Sequence, residues 1–583
     1  MNRPANEKEA AVLKGIGRIE RLVADVELLK DSLEAVPLWR PATALAAQCA
    51  ETVRMIRAIA ARFDRRAVVT VIGPSGSGKS TLVNALAGGR ELSPAGRQRP
   101  TTGRLLVLGA GPDAEELAHE LGRDSVEMLP ASGTALPEGL CLVDTPDTDS
   151  MEFRRHLPAL ERAVAHADVL VCVFDAENPK RRDHADFLAP IVRRFDGESL
   201  AAVINKCDRL DEAELTDEIL PDFRAYLGRG WQRPVDRVLC TSGRRHVQDP
   251  AWDAAAEPRH GFDEFDELRA LVFGLAGGGR VVDRRVENAR QLHRVMLEEA
   301  ARELAADRDE VRSGLEAFAQ ARSQALAAAA GALREADPRR GGGWGAAFYA
   351  SLAARWVGPV GWLLALWTRA ASLGSGLAAM LRWARPFEAR RSRPPAENRP
   401  GDGREGIEAA LRGYRAALIS AWPGVSEPLV RARLAPSVRG IEAPLEASEE
   451  TVERLAEVWD DAVRGETERV ARRLGGGWLQ LLFNAPVVGV LGTVGWTTVG
   501  RFFSGDYLPG DYFTHAFWVV AIALLLSFCA LQLVIRLAGS ERVIGRAFAA
   551  AQQALPALDA AAPHPLAAQL RRLLVLAEAA PKG

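Results

Sequence analysis

The chain has 583 residues, and 74 Lys and Arg stand against 76 Asp and Glu, so its formal net charge is −2. This length is too great for a single core and predicts about three to four structural units. The balanced charge argues against a protein-wide basic face, so we expect no nucleic-acid partner. A content of 48% hydrophobic and 26% charged residues excludes a wholly disordered chain. The six cysteines form no CxxC pair, which predicts buried, reduced thiols.

The N-terminal part of the chain is predicted to be helical. Apolar residues recur at intervals of three or four through residues 8–63, and Pro37 and Pro41 interrupt the pattern. We therefore expect a helical hairpin over residues 1–64 that packs on its neighbour. The opening MNRPANEKEA lacks an apolar core, which predicts no cleavable secretory signal.

Residues 65–279 alternate short β-branched runs with helical stretches. This alternation is typical of a mainly parallel α/β sheet with helices on both faces. The predicted strands are Ala67–Ile72, Arg104–Leu108, Leu140–Val143, Val169–Phe174, Leu200–Ile204 and Arg237–Cys240.

The rest of the chain is predicted to be mostly helical. Besides the apolar stretches, its segments are a helical stalk at 280–340, a Pro/Arg-rich linker at 385–406, a helical segment at 407–475 and a cytoplasmic helical tail at 538–583. Residues 341–384 are apolar but are interrupted by Arg355, Arg369 and Arg382. They fit a membrane-surface or re-entrant segment and a buried helical hairpin equally well.

Two windows within residues 476–537 are long and uncharged enough to cross a bilayer. Trp478–Val499 and Tyr512–Ile535 run for 22 and 24 residues without a charge, and at ~1.5 Å per residue each exceeds a hydrocarbon core of about 30 Å. Arginines flank the pair on both outer sides, whereas the connecting Gly500–Asp511 carries Arg501 against two aspartates. The positive-inside rule then predicts a transmembrane hairpin, in contact with lipid, with both termini in the cytoplasm. Two buried core helices are the alternative.

The motif that carries chemistry follows the first predicted strand. Residues 73–80 read GPSGSGKS, fit GxxxxGK[ST] and precede a predicted helix at Thr81–Ala87. The glycines let backbone N–H groups wrap a phosphate, while Lys79 would reach the β- and γ-phosphate oxygens and Ser80 would bind Mg²⁺. The predicted phosphate-binding residues are Gly73, Ser75, Gly76, Ser77, Gly78, Lys79, Ser80 and Thr81.

A second motif, NKCD at residues 205–208, follows a later predicted strand and favours guanine over adenine. The carboxylate of Asp208 can accept from both the N1–H and the 2-amino group of guanine, a pair that adenine does not offer. Lys206 can lay its stem across the base, and Asn205 can tie this loop to the phosphate loop. Thr241 and Ser242, after the last strand, fit a final base-contacting loop. We therefore expect GTP and GDP as ligands.

Two segments between these motifs are predicted to act as switches. In the first, Thr102 is favoured over Thr101 to complete Mg²⁺ coordination. In the second, Asp144 follows the strand Leu140–Val143 and would hold Mg²⁺ through water. The predicted catalytic residues are Lys79, Thr102 and Asp144, and the predicted metal ligands are Ser80, Thr102 and Asp144.

With these motifs, residues 65–275 resemble the translation-factor-class GTPases, in particular their Era-like and dynamin-like bacterial members. The resemblance implies a P-loop fold, Mg²⁺-dependent hydrolysis of GTP to GDP and phosphate, and self-association. The family's DxxG motif would place glycine at position 147, where this chain has Asp147. Its carboxylate should repel a nearby phosphate. Thr148 stands where Ras-type members have a water-orienting glutamine.

The function that these features favour is a GTPase anchored in the inner (cytoplasmic) membrane as a multi-pass protein, with its GTPase domain in the cytoplasm. It would couple its nucleotide state to membrane-attached helices and, by extension, to membrane remodelling. A GTP-sensing membrane scaffold with little hydrolysis is one alternative, favoured by Asp147 and the missing glutamine. An Era-like ribosome-associated GTPase is another, but it would need a basic RNA-binding module. An ATP-binding transporter subunit would need an LSGGQ-like signature, which the chain lacks.

Overall fold

The structure, a computed structural model, describes residues 3–93, 104–109, 111–130, 132–148, 153–248, 260–276, 280–337, 344, 346–369, 402–435, 445, 448–506, 508–561 and 564–579. The chain forms two compact units, residues 1–306 together with 575–583, and residues 307–574.

The first unit begins with a pair of helices, as the apolar periodicity predicts. Helix α1 spans Arg3–Glu34 and α2 spans Arg40–Ala60, with Pro41 in the first turn of α2 where a missing N–H costs nothing. The two helices pack on each other through fully buried side chains, among them Leu33 and Ile56.

A seven-stranded sheet follows, in the order β3-β2-β4-β1-β5-β6-β7. Its strands are β1 Ala67–Ile72, β2 Leu105–Gly109, β3 Val126–Pro130, β4 Leu140–Asp144, β5 Val169–Asp175, β6 Leu200–Asn205 and β7 Val238–Thr241. All neighbouring pairs are parallel except β2 with β4, which is antiparallel. The predicted mainly parallel α/β fold is therefore confirmed, and the carboxyl ends of β1, β4, β5, β6 and β7 meet at one edge.

One strand of the sheet was not predicted from the sequence, and the bounds of five others differ from the prediction by one residue. Strand β3, Val126–Pro130, pairs with β2 at the edge of the sheet, and its Glu127 and Pro130 hide the β pattern. Strands β2 and β7 begin and end one residue later than predicted. Strands β4, β5 and β6 each end one residue later than predicted, at Asp144, Asp175 and Asn205.

Helices cover both faces of the sheet. They are α3 Lys79–Leu86, α4 Pro112–Leu121, α5 Phe153–His166, α6 Arg182–Val192, α7 Leu220–Trp231 and α8 Phe265–Phe273. A single-turn π-helix at Glu214–Ile219 precedes α7. Short 3₁₀ turns lie at Arg123–Ser125, Gly197–Ser199, Cys207–Arg209, Gly243–His246 and Gly274–Ala276.

The remaining described elements are helices. The predicted stalk is one 57-residue helix, α9, Arg280–Ala336. It is followed by α10 Ala346–Ala353, α11 at 359–369, α12 Asp402–Arg431, α13 Ser448–Leu474, α14 Gly477–Phe503, α15 Gly510–Ala538, α16 Ser540–Ala561 and α17 Pro565–Ala579. The predicted linker at 385–406 lies outside the described residues apart from its last five, which already belong to α12.

Helices α14 and α15 are long and apolar enough to cross a membrane. They have 27 and 29 residues, which corresponds to roughly 40 Å each. Only 11% of the most apolar window in α14, and 22% of the one beginning in α15, is buried. Large apolar side chains such as Trp496, Phe503 and Leu526 are mostly exposed on them. Among the described residues, these two helices are therefore mostly exposed rather than buried in a core.

The apolar segment at 341–384 is described at residue 344 and over 346–369. One face of α10, α11 and the turn between them packs on the ends of α13, α14 and α15 through Phe348, Leu352, Trp356, Val360 and Leu364, all buried. The other face leaves Val357, Trp362, Leu366 and Trp367 exposed. This face is thus apolar but not covered by the described residues.

Polar side chains of α14 form hydrogen bonds with backbone groups in the turn between α10 and α11. Asn484 donates to the carbonyl of Val357 at 3.0 Å and accepts from the N–H of Val360 at 3.1 Å. Gln480 accepts from the N–H of Val357 at 3.1 Å and donates to the carbonyl of Arg355 at 2.7 Å. A break between helices next to an apolar span is tolerated because these amides pair its backbone groups.

The cysteines are reduced, and five are buried as predicted: Cys49, Cys141, Cys172, Cys207 and Cys240. The sixth, Cys529, is exposed on α15, which corrects the expectation for that residue. Its side chain lies on the apolar surface of a helix that the sequence marks as a membrane span.

Candidate nucleotide-binding site

The phosphate loop between β1 and α3 requires glycine at several positions. Gly76 and Gly78 have φ values of +77° and +84°, a region that side-chain-bearing residues rarely adopt. A Cβ on Gly73 would lie 2.5 Å from the carbonyl oxygen of Val173, and one on Gly78 would clash with the amide of Asn205. Ser75 and Thr81 are partly exposed in the loop and in the first turn of α3. The loop is thus packed tightly between two neighbouring strands.

Lys79 opens α3 with its ammonium group buried in the site. Its Nζ donates to Oδ1 of Asp147 at 2.6 Å and to the carbonyl of Pro74 at 3.1 Å. The side chains of Lys79 and Asp147 are only 4% and 8% exposed. Asp147, which replaces the glycine of DxxG, is therefore in direct contact with Lys79, the lysine of the GxxxxGK[ST] motif.

Asp144, at the end of β4, lies beside the first turn of α3. Its Oδ2 accepts from the hydroxyl of Ser80 at 2.7 Å and from that of Ser93 at 2.8 Å. Burial raises the pKa of Asp144 above its usual value, while Lys79 and the two serine hydroxyls act in the opposite direction. The carboxyl group is thus held by two serine hydroxyls in an environment with little water.

These residues fit a magnesium ion. The second oxygen of Asp144, Oδ1, is buried and has no hydrogen-bond partner among the residues that the structure describes. A buried oxygen with free lone pairs beside a serine hydroxyl is the donor set that Mg²⁺ prefers. Thr102, the third predicted ligand, lies outside the described residues, as does Thr101.

Asn205 connects the phosphate loop with the base-binding loops. Its Nδ2 donates to the carbonyl oxygens of Ser77 at 2.9 Å and Gly78 at 3.3 Å. Its Oδ1 accepts from the N–H of Gly243 at 3.0 Å and lies 3.5 Å from the hydroxyl of Thr241. One buried amide therefore fixes three segments relative to one another.

Lys206 and Asp208 of the NKCD sequence bond to different partners. Lys206 has φ +69° and donates to Oδ2 of Asp175, at the end of β5, at 2.6 Å. Oδ1 of the buried Asp208 accepts from the hydroxyl of Ser242 at 2.7 Å. The side chain that would read guanine is thus oriented by the loop after β7.

Two residues of the site were not predicted from the sequence. Asp175 could have been found, because it ends the strand next to β6 and so lies at the same edge of the sheet. Ser93 carries no such signal, since it lies in a segment without strand or helix after α3. It is held by Asn84, whose side chain bonds its N–H at 2.7 Å and its carbonyl at 2.8 Å.

Residues 68–206 match the family model described as 50S ribosome-binding GTPase. The chain is 28% identical over 195 residues to the probable transmembrane GTPase FZO-like, chloroplastic, of Arabidopsis thaliana, a match that covers 32% of this chain and 20% of that protein. It is 31% identical over 148 residues to GTPase Era of Stenotrophomonas maltophilia (strain K279a), which covers 25% of this chain and 41% of Era. The chain thus spans well under two thirds of either relative.

Two solved structures are similar over most of the chain at low scores. A bacterial dynamin pair, described as sensing and tethering membranes, aligns at 12% identity over 91% of each chain with a TM-score of 0.32. LeoA, a bacterial dynamin GTPase from ETEC, aligns at 12% identity over 96% of this chain and 99% of its own, with a TM-score of 0.26. TM-scores this low do not establish a common fold.

The family match coincides with the part of the sheet that carries the phosphate loop, Asp144 and the start of the NKCD sequence. It implies that the domain binds guanine nucleotides. Residues 68–206 are therefore similar to the 50S ribosome-binding GTPase family, and GTPase Era and the FZO-like transmembrane GTPase are similar in sequence to this chain.

Proposed function

We propose that the chain is a membrane-anchored GTPase that binds GTP with Mg²⁺, hydrolyses it and couples its nucleotide state to helices attached to the bilayer. The observation that carries the nucleotide part is the position of Asn205. Its side chain bonds both the phosphate loop and the loop after β7, so the phosphate-binding and base-reading residues act as one site.

The proposal gives separate roles to the residues predicted to bind phosphate, guanine and metal. The phosphate loop and Lys79 bind and orient the phosphate chain, and Asp208 accepts from guanine while Ser242 keeps its carboxylate in position. Ser80, Asp144 and Thr102 would hold Mg²⁺. When bound, Mg²⁺ would neutralise charge that develops on the phosphate oxygens. GTP and GDP are the proposed ligands.

The membrane part rests on α14 and α15. Both are exposed and apolar along most of their length, and Arg472 and Arg536 lie at the outer ends of the pair. Under the positive-inside rule this arrangement favours two spans with the GTPase domain in the cytoplasm, which for a bacterial chain means the inner membrane. The exposed face of α10 and α11, with Trp362 and Trp367, would then lie against lipid at the interface, where tryptophan is enriched.

Self-association and membrane remodelling complete the proposal, as the dynamin-like resemblance implies. Coupling of this kind needs a nucleotide-dependent change at the switches that reaches the helices. No nucleic-acid partner is proposed, because the net charge of −2 provides no general attraction for phosphate backbones.

A GTP-sensing membrane scaffold with little hydrolysis is the second candidate. The observation that favours it is the pair of residues 147 and 148, where an aspartate and a threonine replace the motif's glycine and the water-orienting glutamine. The hydroxyl of Thr148 lies 3.2 Å from Nδ1 of His184, so it already has a hydrogen-bond partner within the domain.

Phosphate release by the full-length protein, in detergent and in liposomes, separates the two candidates. The proposal predicts turnover of GTP but not of ATP, abolished by Lys79→Ala and retained by Lys180→Ala, whose surface lysine pairs with Asp222 outside the site. Binding of GTP without turnover in either setting would favour the scaffold. Failure to retain guanine nucleotide at all would reject both.

A further inference from the structure

The contact between Lys79 and Asp147 has a consequence for nucleotide binding. The two groups lie 2.6 Å apart and are nearly excluded from water, with 4% and 8% of their side chains exposed. A charge-assisted hydrogen bond in such surroundings is stronger than one at the surface. A phosphate that takes Lys79 as its partner has to replace this carboxylate.

The carboxylate is held in the site by its own backbone. On one side, Thr145 donates from its N–H and its hydroxyl to the carbonyl of Val71 on β1, at 3.2 and 2.9 Å. On the other side, the N–H of Thr148 donates to the carbonyl of Gly73 at 3.4 Å. Asp147 lies between these two attachments, so a side-chain rotation alone leaves it close to the phosphate loop.

The charges of the site make this proximity unfavourable for a triphosphate. Asp144, which accepts from the hydroxyl of Ser80 next to Lys79, is a second buried carboxyl group beside the phosphate loop. One ammonium group therefore faces two carboxylates before any phosphate arrives. Like charges in a site with little water repel strongly, and GTP brings more negative charge than GDP.

We propose that Asp147 is an internal competitor for the nucleotide's phosphate chain, occupying Lys79 and weakening the binding of GTP more than that of GDP. This inference rests on the proposed binding of guanine nucleotides. A purely structural ion pair makes the opposite prediction, because its loss would loosen the phosphate loop and weaken both nucleotides.

The test compares GTP and GDP affinities of full-length, detergent-solubilised variants by fluorescent-nucleotide titration. Asp147→Asn keeps the shape and the hydrogen-bonding capacity of the side chain but removes its charge, and Asp147→Gly restores the family residue. Asp113→Asn is the control, because it removes the same charge from a partly exposed pair with Arg66 in the same domain.

We expect the wild type to bind GDP more tightly than GTP. Asp147→Asn and Asp147→Gly should each raise the affinity for GTP by about tenfold and the affinity for GDP by less. Asp113→Asn should behave as the wild type. Unchanged or weaker GTP binding in a folded Asp147 variant would overturn the inference, and so would a wild type that prefers GTP. A wild type that binds neither nucleotide would instead reject the proposed function.

Discussion

Arg285, near the start of α9, donates hydrogen bonds to both carboxylate oxygens of Asp168, at 2.7 and 2.8 Å, and both residues are 2% exposed. Arg285 also bonds the carbonyls of Arg62 and Arg66, and Asp168 accepts from the N–H of Val68 at 2.8 Å. The pair thus joins the long helix to the end of α2 and to the starts of β1 and β5.

Replacing Arg285 by methionine should strongly destabilise the N-terminal unit, because the carboxylate of Asp168 would stay buried without its cation. Breaking such a pair costs about 3–5 kcal/mol, and in a domain of this size the lowest thermal unfolding transition should fall by on the order of 10 °C. Arg290→Met is the matched control, since its pair with Glu287 is exposed and should contribute little. Equal small shifts for both variants would contradict the role given to Arg285.

Asn205→Ala should weaken the binding of GTP and of GDP to the same extent. The amide touches backbone groups of the phosphate loop and of Gly243, and its loss leaves buried groups without partners. Leaving these groups unpaired should cost about 1–3 kcal/mol, so nucleotide titrations should show an affinity roughly tenfold to a hundredfold lower. The control is Asn178→Ala, an exposed asparagine in the loop after β5. A change confined to one of the two nucleotides would argue against a connecting role.

Ser93→Ala should lower the affinity for Mg²⁺ without removing a proposed ligand. Its hydroxyl bonds Oδ2 of Asp144 at 2.8 Å and so orients that carboxylate. Loss of such outer partners typically costs 10–100-fold in metal affinity, which a titration of Mg²⁺ against nucleotide dissociation measures. Ser199→Ala removes another buried serine hydroxyl, outside the site, and should leave the titration unchanged. If EDTA does not change the rate at which nucleotide dissociates from the wild type, the proposed metal site is wrong.

Asn484→Leu should release the segment formed by α10 and α11 from α14 while making α14 more apolar. The amide pairs the carbonyl of Val357 and the N–H of Val360, which would lose their partners. We expect trypsin to cleave after Arg355 about tenfold faster in proteoliposomes, since local opening becomes easier. Thr493→Leu is the control, because that hydroxyl donates within its own helix, to the carbonyl of Val490. Equal cleavage rates in the two variants would argue against the docking of this segment.

These contacts indicate which parts of the molecule can be predicted from sequence. Local signals are sufficient for the phosphate loop and for the strand before NKCD, because glycine spacing and β-branched runs are short-range features. Strand β3 could not be predicted, since Glu127 and Pro130 interrupt its pattern and only pairing with β2 makes it a strand. The antiparallel pairing of β2 with β4 is also a tertiary property.

The same distinction applies within the site. Asn205 and Asp208 could be predicted because the NKCD sequence directly follows a predicted strand. The bonds of Ser93 to Asp144 and of Lys206 to Asp175 could not, because they join residues that are far apart in the sequence. Asp147 was identified from the sequence as a departure from the motif, yet its contact with Lys79 is visible only in three dimensions. Arg285 lies in the predicted helical stalk, and its burial against Asp168 comes from packing that the sequence does not reveal.

The most direct test of guanine recognition is Asp208→Asn, with GTP and xanthosine triphosphate titrated against the full-length protein. An amide in place of the carboxylate would no longer accept from guanine's 2-amino group but could donate to the 2-oxo group of xanthine. We expect GTP affinity to fall by on the order of a hundredfold or more and xanthosine triphosphate to become the preferred ligand. If the variant and the wild type show the same order of preference, Asp208 does not read the base, and the assignment of this domain as a guanine-specific switch is wrong.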